Sequence, residues 1–184
     1  MSDTRTRCSW CGDDELYVDY HDLDWGVPVH GDDALFELLS LEGAQAGLSW
    51  ITVLRRREGY RRLFRDFHVA EVARFDDASV DVIASDAGVI RHRQKIDSVI
   101  TNARAIIEVQ RTQGPFSEYL WALGLADGDT IAAAATMSAR LRKDGFKFVG
   151  PTICLSLMQA SGMVNAHAPE CFRFDEIEAM RGRR

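Results

Sequence analysis

Arg142-Lys143-Asp144-Gly145-Phe146-Lys147-Phe148-Val149-Gly150-Pro151-Thr152 is the stretch whose reading decides the fold. Its two glycines bracket the apolar residues Phe146, Phe148 and Val149, so the backbone is expected to turn twice within a tight hairpin. Pro151 suits the first turn of a following helix, where its missing N–H costs nothing. A glycine turn that runs into a helix N-terminus exposes backbone N–H groups that suit a phosphate, and Lys143 and Lys147 add positive charge beside it. The same pattern also serves an ordinary connection between two helices.

On either side of the hairpin the sequence reads as helix. Thr130 to Lys143 precedes it and Pro151 to Ser161 follows it. Apolar residues recur at helical spacing from Gln94 to Gln110 (Ile96, Val99, Ile100, Ala103, Ile106, Ile107), and Gly114-Pro115 stops that run. Phe116 to Leu123 and Ser79 to Ala84 read as shorter helices, the latter closed by Gly88. Asp32 is placed to cap a helix opening Asp33-Ala34-Leu35-Phe36, with Leu35, Leu38, Leu39 and Glu42 near one face. Another helix starts near Ser49 and ends in Arg55-Arg56-Arg57, where cations favour the C-terminal dipole. No stretch alternates with period two, so the fold class is all-α.

The chain has 184 residues, with 46% hydrophobic and 27% charged, an ordinary globular balance that fits one compact unit, residues 1–184. No apolar run reaches the roughly 18 residues of a membrane span, and the polar start Met1-Ser2-Asp3-Thr4-Arg5 lacks the apolar core of a secretory leader. A cytoplasmic protein is expected, with no membrane partner. Net charge is −6, which by itself disfavours nucleic acid, yet the distribution is uneven. Acidic residues crowd the first 33 positions, while basic ones cluster at Arg55 to Arg62, Arg91 to Lys95 and Arg140 to Lys147. An acidic protein can still present one basic face.

Two further groups of residues carry chemistry. Cys8 and His21 near one end, with His167-x3-Cys171 near the other, supply two thiolates and two imidazoles, a donor set that suits tetrahedral zinc. Such an ion would pin the two ends of a helical protein that has no disulfides. Cys11 is the rival ligand, Cys154 reads as a buried thiol, and His30, His68 and His92 read as solvated side chains without partners. The second group lies around Leu41-Glu42-Gly43-Ala44-Gln45-Ala46-Gly47-Leu48-Ser49-Trp50. A carboxylate after an apolar helical face is costly without a partner. Trp10, Tyr17, Tyr20 and Trp25 lie nearby in sequence. Aromatic faces around one buried carboxylate would bind a flat cationic heterocycle. Core packing of Trp25 and Trp50, with Glu42 capping a neighbouring helix, is the competing reading.

Four strings then become recognisable: Tyr20-His21-Asp22-x-x-Trp25-Gly26-Val27-Pro28; Leu41-Glu42-Gly43-x-Gln45-Ala46-Gly47-Leu48-Ser49-Trp50-Ile51-Thr52-Val53-Leu54; Asp86-Ala87-Gly88-x-Ile90-Arg91-His92-Arg93-x-Lys95-Ile96; and Gly145-Phe146-Lys147-Phe148-Val149-Gly150-x-Thr152-Ile153-Cys154. Together they resemble the 3-methyladenine DNA glycosylase I family, from Cys8 to about Cys171. The resemblance implies a helix-hairpin-helix fold, with the hairpin element at 140–162. It also implies a zinc-binding subdomain joining 1–30 to 163–175. It assigns one structural zinc per chain to Cys8, His21, His167 and Cys171, leaving Cys11 a bystander. It places the base pocket at Glu42, the catalytic candidate, with Tyr20, Trp50 and Trp10 holding the substrate. DNA would be met by Gly145, Lys147, Gly150 and Thr152, and Leu48 or Gln45 would wedge into the vacated stack. The implied activity is base excision repair: hydrolytic release of 3-methyladenine from double-stranded DNA, with strand cleavage not expected; a monomer with no protein partner is the default expectation.

Four departures qualify that expectation. Related glycosylases carry an Asp just after the second hairpin helix, whereas Asn165 stands here and cannot act as a carboxylate. No Lys occupies the usual Schiff-base position. The segment Ala126 to Ser138 is short and alanine-rich, and Ala166 precedes His167 where relatives often have an acid. The tail from Asp175 to Arg184 carries no motif and reads as a solvated or frayed end. A noncatalytic damage binder, and a hydrolase using its zinc, are the alternatives.

Overall fold

The computed structural model describes residues 5–124 and 129–182. The leader expectation for Met1 to Thr4, and residues 126–128 of the alanine-rich segment, fall outside them, as do Arg183 and Arg184. Among the described residues every regular element is helical. No helix is long and apolar enough to cross a membrane.

At the centre lies α2 (Asp32–Gln45), whose Leu35 to Ala44 are all buried. It has no single apolar stripe because it is enclosed: α3 (Trp50–Leu54), α7 (Arg93–Gln113), α8 (Phe116–Gly124) and α10 (Pro151–Ala160) all pack on it. The connecting helices α4 (Arg57–Leu63), α5 (Val69–Val72) and α6 (Asp77–Ser85) fill the space toward α7. Phe36, Phe64, Phe67 and Tyr60 form the largest aromatic cluster there.

Asp32 does not cap its own helix. It is the first residue of α2 rather than its cap, and its carboxylate accepts from the N–H groups of Phe116 (3.0 Å) and Ser117 (2.8 Å). It therefore caps α8 across the fold, satisfying donors that a local reading leaves orphaned. The arginine triplet is likewise divided. Arg55 ends α3, whereas Arg57 begins α4 and reaches back to Glu37 at 2.6 Å. The three histidines have partners after all. His30 stacks on Trp121, His68 meets Asp33 at 2.8 Å, and His92 accepts from the Lys95 N–H to cap α7.

The hairpin forms between α9 (Thr130–Lys143) and α10, as expected from its sequence. Gly145, at φ +93°, makes the first turn. The second is made by Phe148 at φ +53°, not by Gly150, which is extended at φ −63°. A left-handed phenylalanine persists because its neighbours hold it. Asn102 of α7 grips Lys147 through both backbone groups (3.1 and 2.8 Å), and Ser138 donates to the Val149 carbonyl at 2.6 Å.

Both ends of the described chain meet beside α10. A short helix α1 (Glu15–Asp19) runs into a π-turn, Tyr20–Asp24, closed by the Trp25 N–H on the Tyr20 carbonyl. Gly26 and Val29 then donate to the last carbonyls of α10, Ala160 and Ser161. The tail is not frayed as far as Arg181: it forms α11 (Arg173–Arg181), with Ile177 and Arg173 buried. Its apolar residues Phe174, Ile177 and Met180 recur at helical spacing, but among five charged residues in nine they were not read as a helix from sequence.

Candidate functional site

Two sites share the π-turn. The first is the cysteine–histidine cluster. Cys8, His21, His167 and Cys171 are all buried, and their donor atoms lie within 4.8 Å of one another. Three of the edges are 3.4 Å (Cys171 Sγ to His21 Nε2), 3.5 Å (Cys171 Sγ to His167 Nδ1) and 3.6 Å (Cys8 Sγ to His167 Nδ1). A tetrahedron with metal–sulfur bonds of about 2.3 Å and metal–nitrogen bonds of about 2.0 Å has edges of about 3.5 Å. The residues therefore fit a tetrahedral metal ion without rearrangement. Burial, with the neighbouring Cys171 and Cys11 thiols, pushes the Cys8 thiol up to about 11, so a thiolate there needs a cation to hold it.

The surrounding contacts orient those ligands. His21 Nδ1 is 2.8 Å from Asp22, which Arg7 holds with contacts at 2.7 and 2.9 Å. His167 Nε2 faces the Trp25 carbonyl at 3.1 Å. Each imidazole thus has one nitrogen fixed and the other aimed at the centre. Asn165 steadies the same segment. Its side-chain oxygen accepts from the His167 N–H (3.2 Å) and its amide donates to the Phe174 carbonyl (3.1 Å). Cys11 lies outside the group, its thiol donating to the Cys8 carbonyl at 3.2 Å.

The second site is a cleft of about 230 Å³ lined by Trp10, Tyr17, Tyr20, Trp25, Glu42, Gln45, Trp50, Ser156 and Gln159. Its walls come from separate elements. Trp10 and the π-turn form one side, the last turn of α2 and the start of α3 the floor, and α10 the far side. Tyr20 meets Trp50 at 5.3 Å between ring centroids, and Trp10 packs edge-on against Trp25 at 4.8 Å. Trp25 in turn packs on His167 at 4.6 Å, so the cleft wall rests on the cysteine–histidine cluster.

Glu42 sits in this aromatic cleft at 3% exposure, and its Oε2 has no hydrogen-bond partner. Trp50 Nε1, also lining the cleft, is a buried donor without one. An unmatched acceptor and donor in one cleft mark the positions of a ligand's complementary groups, since such atoms are rarely left unpaired in a finished fold. Burial pushes the Glu42 carboxyl up to about 8, so it enters the empty cleft with its proton on at neutral pH. The Tyr20 phenol is pushed well above its usual range by burial and by Glu42, so it stays protonated.

The remaining sequence candidates lie on the outer rim. Leu48 is 40% exposed on the turn after α2, with Gln45 on the cleft wall beside it. Gly145, Lys147 and Thr152 are exposed on the hairpin, and Gly150 is half-buried there. Four residues were missed. Ser156 and Gln159 sat in a helix read only as core. Asn102 and Lys95 act over long sequence separations, with Lys95 donating to the Ala44 and Ala46 carbonyls at 2.9 and 2.5 Å. Burial of that ammonium pulls its pKa below the usual lysine range.

Comparison with known proteins agrees with this geometry. Residues 10–174 match the family model described as methyladenine glycosylase. A curated relative, DNA-3-methyladenine glycosylase 1 of Escherichia coli (strain K12), is 45% identical across 90% of this chain and 95% of its own. Among solved structures, a 3-methyladenine DNA glycosylase I superposes with a TM-score of 0.84 at 41% identity, covering 91% of this chain and 98% of that one. The enzyme from Staphylococcus aureus, solved to show how it recognises 3-methyladenine, gives 0.85 at 30% identity, covering 91% and 96%.

Proposed function

This chain belongs to the methyladenine glycosylase family, and from that premise we infer that it is a DNA repair enzyme that releases 3-methyladenine from alkylated DNA, with Glu42 as the residue that recognises the flipped base. The observation that carries the reading is the Glu42 carboxyl, buried among aromatic rings with Oε2 unpartnered. No core needs that arrangement, and a flat cation supplies what it lacks.

Methylation at N3 gives the adenine ring a positive charge while it is still joined to deoxyribose. Once the nucleotide is flipped out, the ring enters between Tyr20, Trp50 and Trp10, whose faces stack on it and attract its charge. Its charge favours the ionised form of Glu42, so the carboxyl proton leaves to solvent. The carboxylate then accepts hydrogen bonds from the exocyclic amine edge. An unmethylated base, being neutral, cannot drive that ionisation and is held less well. The N9–C1′ bond breaks with its electron pair going to the base, which neutralises the ring. Water adds its oxygen to C1′ and loses a proton to solvent.

The ion at Cys8, His21, His167 and Cys171 is read as one structural zinc, since four protein ligands leave no open position for substrate. Its chemistry is to join the ends of the chain, residues 1–30 and 163–175, and to brace Trp25. The hairpin at 140–162 is read as the DNA grip: Gly145, Lys147, Gly150 and Thr152 meet the backbone, and Leu48 wedges into the stack. With no carboxylate at Asn165 and no lysine at the Schiff-base position, the enzyme is read as monofunctional; it is read separately as a monomer of the cytoplasm. Borohydride trapping of a covalent DNA adduct would refute the monofunctional assignment.

The test is to incubate the protein with alkylated duplex DNA and identify released bases by chromatography, beside Glu42→Gln. Release of 3-methyladenine by the native chain, lowered about 10- to 100-fold in the variant, is expected for a lost charge-assisted contact. Equal release would move recognition away from Glu42, and no release from folded, metal-loaded protein would overturn the activity.

A further inference from the structure

The turn that closes the floor of the cleft, Gln45-Ala46-Gly47-Leu48, is held by a cation that has no carboxylate partner among the described residues. Ala46 has φ −43° and ψ 114°, Gly47 has φ +78°, and the Leu48 N–H donates to the Gln45 carbonyl at 2.6 Å. These are the marks of a type II turn, in which glycine at the third position tolerates positive φ. Type I and type II turns differ by a flip of the central peptide, here Ala46–Gly47. Its carbonyl is fixed by Lys95 Nζ at 2.5 Å.

Lys95 is an expensive choice for a purely structural clamp. It is 8% exposed, and it stands in the first turn of α7, where the helix dipole disfavours a cation. What it gains are the Ala44 and Ala46 carbonyls at the C-terminal end of α2. In a planar trans peptide the N–H points opposite to the C=O. With the Ala46 carbonyl turned in toward Lys95, the Gly47 N–H is turned out. Gly47 is exposed, an added Cβ there would meet nothing within 4 Å, and its N–H has no acceptor among the described residues. Leu48 stands next to it, exposed at the rim of the cleft.

We propose that the Gly47 N–H, turned outward by Lys95, binds a backbone phosphate of the flipped nucleotide, and that Lys95 is the positioning residue for that contact. The proposal rests on the glycosylase reading, because the anion it requires is the phosphodiester beside an extruded base. Lys95 polarises the Ala46–Gly47 peptide from behind, so the N–H becomes a stronger donor. It also prevents the flip to a type I turn, which would bury the donor. The base is thus held by the cleft and its phosphate by the turn, a few residues from Glu42.

The experiment is a double-mutant cycle between protein and DNA. Native protein and Lys95→Gln are titrated with a duplex carrying a stable abasic analogue, and with the same duplex bearing a neutral methylphosphonate next to the lesion on either side. We expect Lys95→Gln to weaken binding to the all-phosphate duplex about tenfold, the scale of one hydrogen bond to a charged group. One of the two methylphosphonates should weaken the native protein similarly, and should cost the variant nothing further. Binding of free 3-methyladenine, read by tryptophan fluorescence, should stay within twofold of native, whereas a collapsed cleft would lose it. Additive losses, or an unweakened variant, overturn the proposal while leaving the glycosylase reading intact. A native protein that neither binds the duplex nor releases a base overturns both. If Lys95→Gln does not fold, the native Gly47 amide resonance decides: it must move downfield with the all-phosphate duplex and not with the methylphosphonate.

Discussion

The metal cluster and the cleft stand side by side on one π-turn, yet they treat buried polar atoms in opposite ways. Around the cluster both imidazoles have an oriented second nitrogen, Asp22 is held by Arg7, and Asn165 is bonded through both ends of its amide. In the cleft, Glu42 Oε2 and Trp50 Nε1 are left without partners. A fold that orients the cluster's imidazoles and leaves the cleft's carboxyl and indole open separates two roles. An ion that stays would complete the cluster, and a ligand that leaves would complete the cleft. The first should govern stability and the second should detract from it.

The largest effect that could break this contrast is loss of a metal ligand. Cys171→Ala is expected to release the ion and lower the melting temperature by about 10 °C or more, taking about 2–4 °C per kcal/mol for a chain this size. Metal content and calorimetry on one sample would check it. A stable, metal-free variant would show that the ends are joined by packing alone.

Glu42→Gln should do the reverse: lower activity while raising stability at alkaline pH. The Glu42 carboxyl is raised from 4.5 to about 8 in the folded chain. The folded state therefore holds this proton over a range in which the unfolded chain has lost it. Below about pH 4.5 the two states do not differ. As pH rises toward 8 the native protein loses stability, by up to about 4 kcal/mol across that window. The variant has no such loss. Denaturant melts of both proteins at pH 5 and pH 8 would show the two stabilities diverging, and parallel curves would refute it. For the same reason kcat/KM should climb as pH approaches 8, since it reports the free enzyme.

Much of this contrast was legible beforehand. The convergence of Cys8, His21, His167 and Cys171 was legible as a donor set of two thiols and two imidazoles, though spacing alone left Cys11 as a rival, and α9 was read to its last residue, Lys143. The π-turn was not legible, because its register is set by the sites on either side of it and not by periodicity. Nor was the role of Asp32, which caps a helix 84 residues away, or of Lys95, whose carbonyl partners lie 49 and 51 residues back. Such contacts need the fold before they can be seen. The enclosed α2 hid its other buried carboxylate, Glu37, for a related reason: with every side buried, there is no polar face to contrast with.

Smaller changes sharpen the comparison. Asp22→Asn leaves the shape of the cluster but removes the charge behind His21. Metal affinity should fall about 10- to 100-fold in a chelator competition, with base release by the loaded protein unchanged. Asn165→Asp should be the mildest. It turns the donor facing the Phe174 carbonyl into a second acceptor, costing about 1–2 kcal/mol. It should add no activity, and a faster Asn165→Asp enzyme would mean that position reaches the substrate after all.

The π-turn sets one more limit. Tyr20 points into the cleft and the very next residue, His21, into the metal cluster. Removing one residue to relax the turn into ordinary helix would rotate everything beyond it by about 100°. Either the phenol or the imidazole would then be misdirected. This segment is therefore constrained in length as well as in composition, and the base range of the enzyme cannot be retuned there without endangering the fold. Redesign has freedom only on the opposite wall, at Ser156 and Gln159, where one side chain can be exchanged without disturbing the next.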